Sequence, residues 1–249
     1  MSLFRTGLGL IASVVSVSAL ADPACQNVSI VTEEYPPFNY TEDGHEKGLA
    51  TDVVLAVLRQ MGMRADIRSL PWARAYDTAV NGKDVMIYSI TRTPQREQLF
   101  KWVGVISPDD YNLFALKGKV ASLRSLDDAR SLQTATVIDD AGEQYLISKG
   151  FVPGKNLQSS IRYDLDYQKL KEGRVDLWIA NRAVAVYLAR KAGDRPEDVM
   201  HAVFNIRDLN ASGAYMAFGT KTADDCVEKF RAALQAIKAN GDYDALQQR

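Results

Sequence analysis

Val85-Met-Ile-Tyr-Ser-Ile-Thr-Arg-Thr-Pro-Gln-Arg-Glu97 begins as an uninterrupted apolar run and ends in hydroxyls, a proline and a guanidinium. An apolar run bounded by turn residues reads as a buried strand, here Val85 to Tyr88. Working outward, Pro71 opens a helix that Asn81-Gly82 stops, and Ala65 to Ser69 reads as the strand before it. Val28 to Thr32 is a further strand, and Ala50 to Met61 is a helix with Val53, Val54, Val57, Leu58 and Met61 at helical spacing. This β-α-β-α order predicts an α/β fold with mostly parallel strands, whose ligands sit at the carboxyl ends of those strands. Ser89, Thr91 and Arg96 leave the Val85 strand at that end. A guanidinium fork there suits a carboxylate or phosphate, and an arginine facing solvent is the plainer alternative.

The same grammar restarts in the second half. Thr134 to Ile138 and Leu177 to Ala180 read as strands, and Gly142 to Lys149, Asp166 to Glu172 and Ala183 to Lys191 as helices. Two small sheets follow, with Tyr111 to Leu116 as an extended crossing segment and Ala214 to Thr220 as a second one that returns the chain. Ala223 to Asn240, stopped by Gly241, is a long amphipathic helix. The expected division is a signal peptide over 1–21, a first lobe over 22–110, a second lobe over 111–213, and a return to the first lobe over 214–249. A double crossing between lobes makes a hinge.

The 249 residues carry 30 basic and 31 acidic side chains, a net charge of -1. That balance gives no electrostatic footprint for nucleic acid or an anionic membrane. Arg5, the uncharged run Leu8 to Leu20 and Ala19-Leu20-Ala21 form a signal-peptide pattern, so the mature chain is expected to start near Asp22 in the periplasm. As a membrane anchor the run is short of the roughly 20 apolar residues a bilayer core needs. Cys25 is not preceded by a lipoprotein sequence. Export to an oxidising compartment lets Cys25 and Cys226 pair, which would fasten the last long helix to the first lobe; two unrelated buried thiols are the alternative. His45 and His201, far apart, complete no recognisable metal set with them, and no cofactor is expected.

Several short blocks together carry a resemblance. They are Glu34-Tyr35-Pro-Pro-Phe38, Gly48 with Asp52, Pro71-Trp72, Asp84-Val-Met-Ile-Tyr88, Thr93-Pro-Gln-Arg96-Glu97, Gly173-Arg-Val-Asp176 and Gly241-Asp-Tyr243. In this order and spacing the chain resembles the bacterial extracellular solute-binding proteins of family 3, the polar amino-acid-binding type. The resemblance implies a two-lobed, type II periplasmic-binding fold with a discontinuous first lobe and a two-strand hinge. It implies that Arg96 grips a ligand's α-carboxylate, joined by Ser89 and Thr91 on the loop after the strand, and Tyr88, Tyr35, Phe38 and Trp72 are expected with them at the ligand. Core packing is the alternative for Tyr35, Phe38 and Trp72, since aromatic residues serve both roles.

Three positions depart from that pattern. Asn181 stands where the family usually has an aspartate for the ligand's ammonium, and an amide forms no ion pair. Asp139-Asp140 precedes a helix whose start usually carries Gly-Ser or Gly-Thr facing a carboxylate. That pair either caps the helix or supplies the anion that Asn181 lacks. Ala50 replaces a frequent aspartate at the opening of the first helix, with an effect expected on capping. Arg74 either lines the cleft or faces solvent.

Capture of a small polar ligand, an amino acid or related carboxylate or amine, for an ABC permease follows as the expected function of a monomer. An enzyme resembling a cyclohexadienyl dehydratase on the same fold is the alternative, with Glu33, Glu34, Asp139 or Asp140 as acid or base if buried. A ligand-sensing partner of a membrane receptor is another. The chain lacks a nucleophile elbow, a glycine-rich phosphate loop and a histidine in any motif block.

Overall fold

Central strands covered on both faces need near-continuous apolar runs, and two such runs organise the chain. Val85–Thr91 and Leu177–Asn181 are buried at every position. The computed structural model describes residues 25, 27–64, 66–211 and 213–248; the segment 1–21, expected to be a signal peptide, lies outside them, as does Ala65.

The first part of the chain forms β1 (Ser29–Thr32), a β2–β3 hairpin (Tyr40–Glu42, His45–Lys47), α1 (Leu49–Gln60), β4 (Ile67–Ser69), α2 (Trp72–Asn81), β5 (Val85–Thr91) and β6 (Phe100–Ser107). The middle part forms β7 (Tyr111–Leu116), β8 (Thr134–Val137), α3 (Ala141–Ser148), β9 (Leu157–Ser160), α4 (Tyr163–Lys171), β10 (Leu177–Asn181), α5 (Arg182–Lys191), the short α6 (Pro196–Val199), β11 (Met200–Asn205) and the short α7 (Arg207–Asn210). The chain then returns through β12 (Ala214–Gly219), α8 (Asp224–Ala239) and α9 (Asp242–Gln247).

Two five-stranded sheets result, ordered β4-β1-β5-β12-β6 and β11-β7-β10-β8-β9. Each is built alike: three parallel strands, then one antiparallel strand that arrives from the other sheet, then an edge strand. The expectation of mostly parallel sheets is therefore corrected. Half of the pairings in each sheet are antiparallel, because the crossing strands β7 and β12 enter their sheets head-on rather than through a helical crossover. The fold is the two-lobed α/β architecture with a discontinuous first lobe.

Local chemistry fixes the elements. Gly48 precedes α1 at φ +116, where an added Cβ would stand 2.5 Å from the Phe38 carbonyl oxygen. Behind it, Val53, Val54, Val57 and Leu58 turn the apolar stripe of α1 inward. α8 buries Cys226, Val227, Phe230, Leu234 and Ile237 on the first lobe, and Gly104 leaves room for Leu234. Cys25 and Cys226 are joined by a disulfide across a sequence separation of 201.

The two crossings are tied together where they pass. Asn210 accepts from the Tyr111 amide at 2.5 Å and donates to its carbonyl at 3.2 Å, and the Ile206 amide donates to the same carbonyl. Arg182 meets Asp110 at 2.8 Å beside the first crossing.

Candidate functional site

Strand ends from both lobes converge on a buried polar seam. From the first lobe come Glu33 after β1, Trp72 at the start of α2, and Ser89, Thr91 and Arg96 at the end of β5; from the second come Asp139-Asp140 before α3, Gln144 within it, Tyr163 at the start of α4, and Asn181 ending β10. Asp109 and Tyr111 sit on the first crossing, and both are buried.

Arg96 is 1% exposed, so the surface reading of this arginine fails. Its Nη1 donates to the Thr91 carbonyl at 3.2 Å within its own lobe. Its Nε donates to Gln144 Oε1 and its Nη2 to the Asp139 carbonyl, both at 3.0 Å, across the cleft. The guanidinium lies over the rings of Trp72 and Tyr76, each centroid 5.1 Å away, which suits a weakly hydrated planar cation. Trp72 Nε1 donates to the same Asp139 carbonyl at 2.7 Å.

That carbonyl is presented by unusual backbone. Asp139 has φ +60 and Ser89 also has φ +60, both in the left-handed region that non-glycine residues rarely enter. Ser89 lies where the β5–β12 register shifts, and its hydroxyl donates to Asn39 Oδ1, while Asn39 Nδ2 donates to Thr32 Oγ1 and the Glu33 carbonyl. Strained residues held by their neighbours collect at binding sites.

The Asp139-Asp140 pair divides. Asp139 exposes its side chain and works through its carbonyl. Asp140, 2% exposed, caps α3 by accepting from the Glu143 amide at 2.6 Å, and its second oxygen lies 3.3 Å from the Tyr163 hydroxyl. The same hydroxyl stands 3.4 Å from Glu33 Oε1. Burial, and next the charge of Asp140, holds the Glu33 carboxyl well above the usual carboxylate range. Burial pushes Asp140 up to about 7 and Asp109 up to about 7.

A chain of hydroxyls runs along the hinge. Tyr35 donates to Tyr111 at 3.3 Å, Tyr111 lies 3.5 Å from Thr91 Oγ1, and Thr91 donates to Asp109 at 3.1 Å. Tyr35 packs on Phe38 and on Tyr163, with centroids 5.6 and 4.9 Å away. Asn181 caps α5 by accepting from the Ala183 amide at 2.9 Å, and its side chain faces Asp109, whose charged form it favours. Tyr88 is not part of the seam: it points to the α1 side of its sheet, where its hydroxyl meets Thr51 at 2.9 Å.

Glu33, Asp109, Tyr111, Asn39, Gln144 and Tyr163 complete the seam. Glu33 was legible only as one of several acids, and Asp109 only as a residue beside a crossing; nothing in the local sequence marks Tyr163. Glu34 instead faces outward and accepts from Thr41 and Ser69. A groove of about 960 Å³ flanks the seam between the lobes, lined by Glu34, Tyr40, Arg162, Tyr163, Lys171 and Lys191 among others. Among the described residues no group of three or more His, Cys, Asp or Glu is placed to hold a metal ion, and no helix is long and apolar enough to cross a membrane.

Two lobes joined by paired crossings, with buried polar side chains between them, define a binding protein of the two-lobed type. The chain belongs to the bacterial extracellular solute-binding proteins, family 3, whose profile matches residues 28–249. It is similar to the arginine-binding periplasmic protein of Mannheimia haemolytica, 24% identical over 228 residues that cover 88% of each chain. It is 22% identical over 165 residues to the L-cystine-binding protein of Escherichia coli K12, covering 64% of this chain and 60% of that one. Among solved structures, an ancestral arginine-binding protein bound to arginine superposes with a TM-score of 0.78 at 20% identity, covering 90% of this chain and 98% of that one. A histidine kinase sensor domain similar to periplasmic binding proteins also gives 0.78, at 18% identity over 90% and 96%.

Proposed function

We propose that this chain captures a small polar ligand, an amino acid or a related carboxylate or amine, between its lobes and delivers it to an ABC permease. In this reading the leader over 1–21 is removed on export to the periplasm, residues 22–110 and 214–249 form one lobe and 111–213 the other, and the mature protein works as a monomer. The observation that carries it is the buried polar seam, with Arg96 and Trp72 of one lobe meeting the Asp139 carbonyl of the other. Polar groups buried between two halves on a hinge can meet a guest when the halves part and surround it when they close. The relatives named above bind arginine and L-cystine by their own names, which places small polar solutes foremost.

A thermal-shift screen against amino acids, polyamines and small carboxylates tests this. A ligand at a hundred times its Kd stabilises the protein by about 2.7 kcal/mol, and it is recovered unchanged. A panel without any stabilising compound contradicts the proposal. Glu33 and Asp140, buried and with their carboxyls raised above the ordinary carboxylate range, favour one second reading, a lyase-type enzyme with a carboxyl as general acid. Release of an altered product from the stabilising compound would decide for it.

A further inference from the structure

The seam has an unbalanced charge. Glu33, Asp109 and Asp140 are buried, and among the described residues none of them makes an ion pair with a basic side chain. Arg96 is the guanidinium among them, and the three hydrogen bonds described for it go to two main-chain carbonyls and an amide oxygen, all neutral. With every group ionised the seam holds two negative charges in excess, which burial makes costly.

The arrangement of the acids is equally one-sided. One hydroxyl, that of Tyr163, stands between Glu33 of the first lobe and Asp140 of the second, and its single proton can serve only one of them at a time. One turn along the same face of α4, Asp166 is 0% exposed, with Ser160 beside it and Lys169 3.9 Å away, and burial raises its carboxyl despite both. The places where an amino acid's carboxylate would be held are taken. The Nε and Nη2 edge of Arg96 is filled by Gln144 and the Asp139 carbonyl, and the amide end of α3 is capped by Asp140 itself.

We infer that the guest is an organic cation without a carboxylate, an amine or diamine, whose positive group meets the Glu33 and Asp140 carboxyls beside the Tyr163 hydroxyl while the rest extends into the flanking groove. This rests on the solute-binding reading and narrows its ligand class. One positive group in the seam lowers its excess negative charge, which a zwitterion with its own carboxylate does not, and the groove of about 960 Å³ has room for an extended chain. Its lining, with Glu34 and Asp164 beside Arg162, Lys171 and Lys191, suits a polar tail.

Two pairs of probes differ by the carboxylate alone: cadaverine against L-lysine, and agmatine against L-arginine. Titration calorimetry on the disulfide-bonded protein should find the amine of at least one pair bound tenfold or more tighter than its parent amino acid. Glu33→Gln should weaken that amine at least tenfold. Its ligand-free melting temperature should not fall, since glutamine keeps the size and polarity of a buried carboxyl that burial already disfavours in its charged form. Asp140→Asn should weaken the amine similarly. An amino acid that outbinds its amine in both pairs, or an amine indifferent to Glu33→Gln, overturns the inference and leaves the solute-binding reading standing. Failure of all four probes to bind overturns the inference as well. If scattering then also shows no change of shape with any compound of the wider panel, the solute-binding reading falls with it.

Discussion

The two lobes share one strand plan and bring different side chains to the seam. In each, three parallel strands are followed by an antiparallel visitor and an edge strand. The first lobe sends a guanidinium and an indole N–H toward the cleft; the second answers with a carbonyl held at positive φ, a capping aspartate and a tyrosine. Donors therefore face acceptors, and closure satisfies both. Topology sets where the seam lies, since loops at strand ends are free to vary, and the loop residues set what it holds. The lobes also differ in fastening. The first is closed on itself by α8 and the Cys25–Cys226 bond, whereas the second has no disulfide.

That difference is broken most severely by removing the bond. Cys25→Ser with Cys226→Ser reopens a loop of 201 residues, worth about 5 kcal/mol in the chain-entropy model. Chemical denaturation should show the loss as a lower midpoint confined to the first lobe's signals. An unchanged midpoint would mean that α8 packing alone secures that lobe.

Acid and base should sharpen the contrast next. Asp109 and Asp140, each pushed up to about 7, hold protons in the closed protein that the unfolded chain has already released near pH 4. The closed form binds more protons between those values, so ligand-free stability falls as pH rises from 5 to 8. The ceiling is about 4 kcal/mol for each group, with opening of the cleft relieving part of it. A melting temperature that climbs over this range would contradict the burial of these acids.

Arg96→Ala removes two charge-assisted bonds across the cleft, on the order of 3 kcal/mol, or about a hundredfold in affinity for any guest. Arg96→Lys should not restore it, because a point charge cannot reach both acceptors. Smaller still, Asp140→Ala should cost about 1 kcal/mol more stability than Asp140→Asn, because asparagine keeps the cap on α3. Equal melting temperatures would remove the cap from the explanation. Asp139→Asn, at an exposed side chain with φ +60 that asparagine tolerates, should stay within about 0.5 kcal/mol of the parent in thermal melts.

Much of the scaffold is readable from the chain itself. Apolar runs such as Val85 to Tyr88, and helical stripes such as that of α1, are written in local periodicity, and the restart of the pattern after Tyr111 gives two sheets. Edge strands are harder: β6, β9 and β11 carry mixed burial and short runs, so their periodicity is weak. The seam was half legible. Arg96, Ser89, Thr91, Trp72 and the Asp139-Asp140 pair lie at strand ends or helix starts, where sequence logic looks. Tyr163 and Asp109 join them only because a helix and a crossing approach from residues far off in the chain, a distance no local motif records. Tyr88, next to Ser89 in sequence, meets Thr51 of α1, a contact that the run Val85 to Tyr88 does not record.

Small-angle scattering compares the lobes as moving bodies most directly. At pH 8 the ligand-free chain should have a larger radius of gyration than the same chain saturated with the tightest compound of the thermal-shift panel, and the contraction should vanish in Arg96→Ala. Identical curves with and without that compound would show a single rigid body, and the hinge at Tyr111 and Asn210 would not be one.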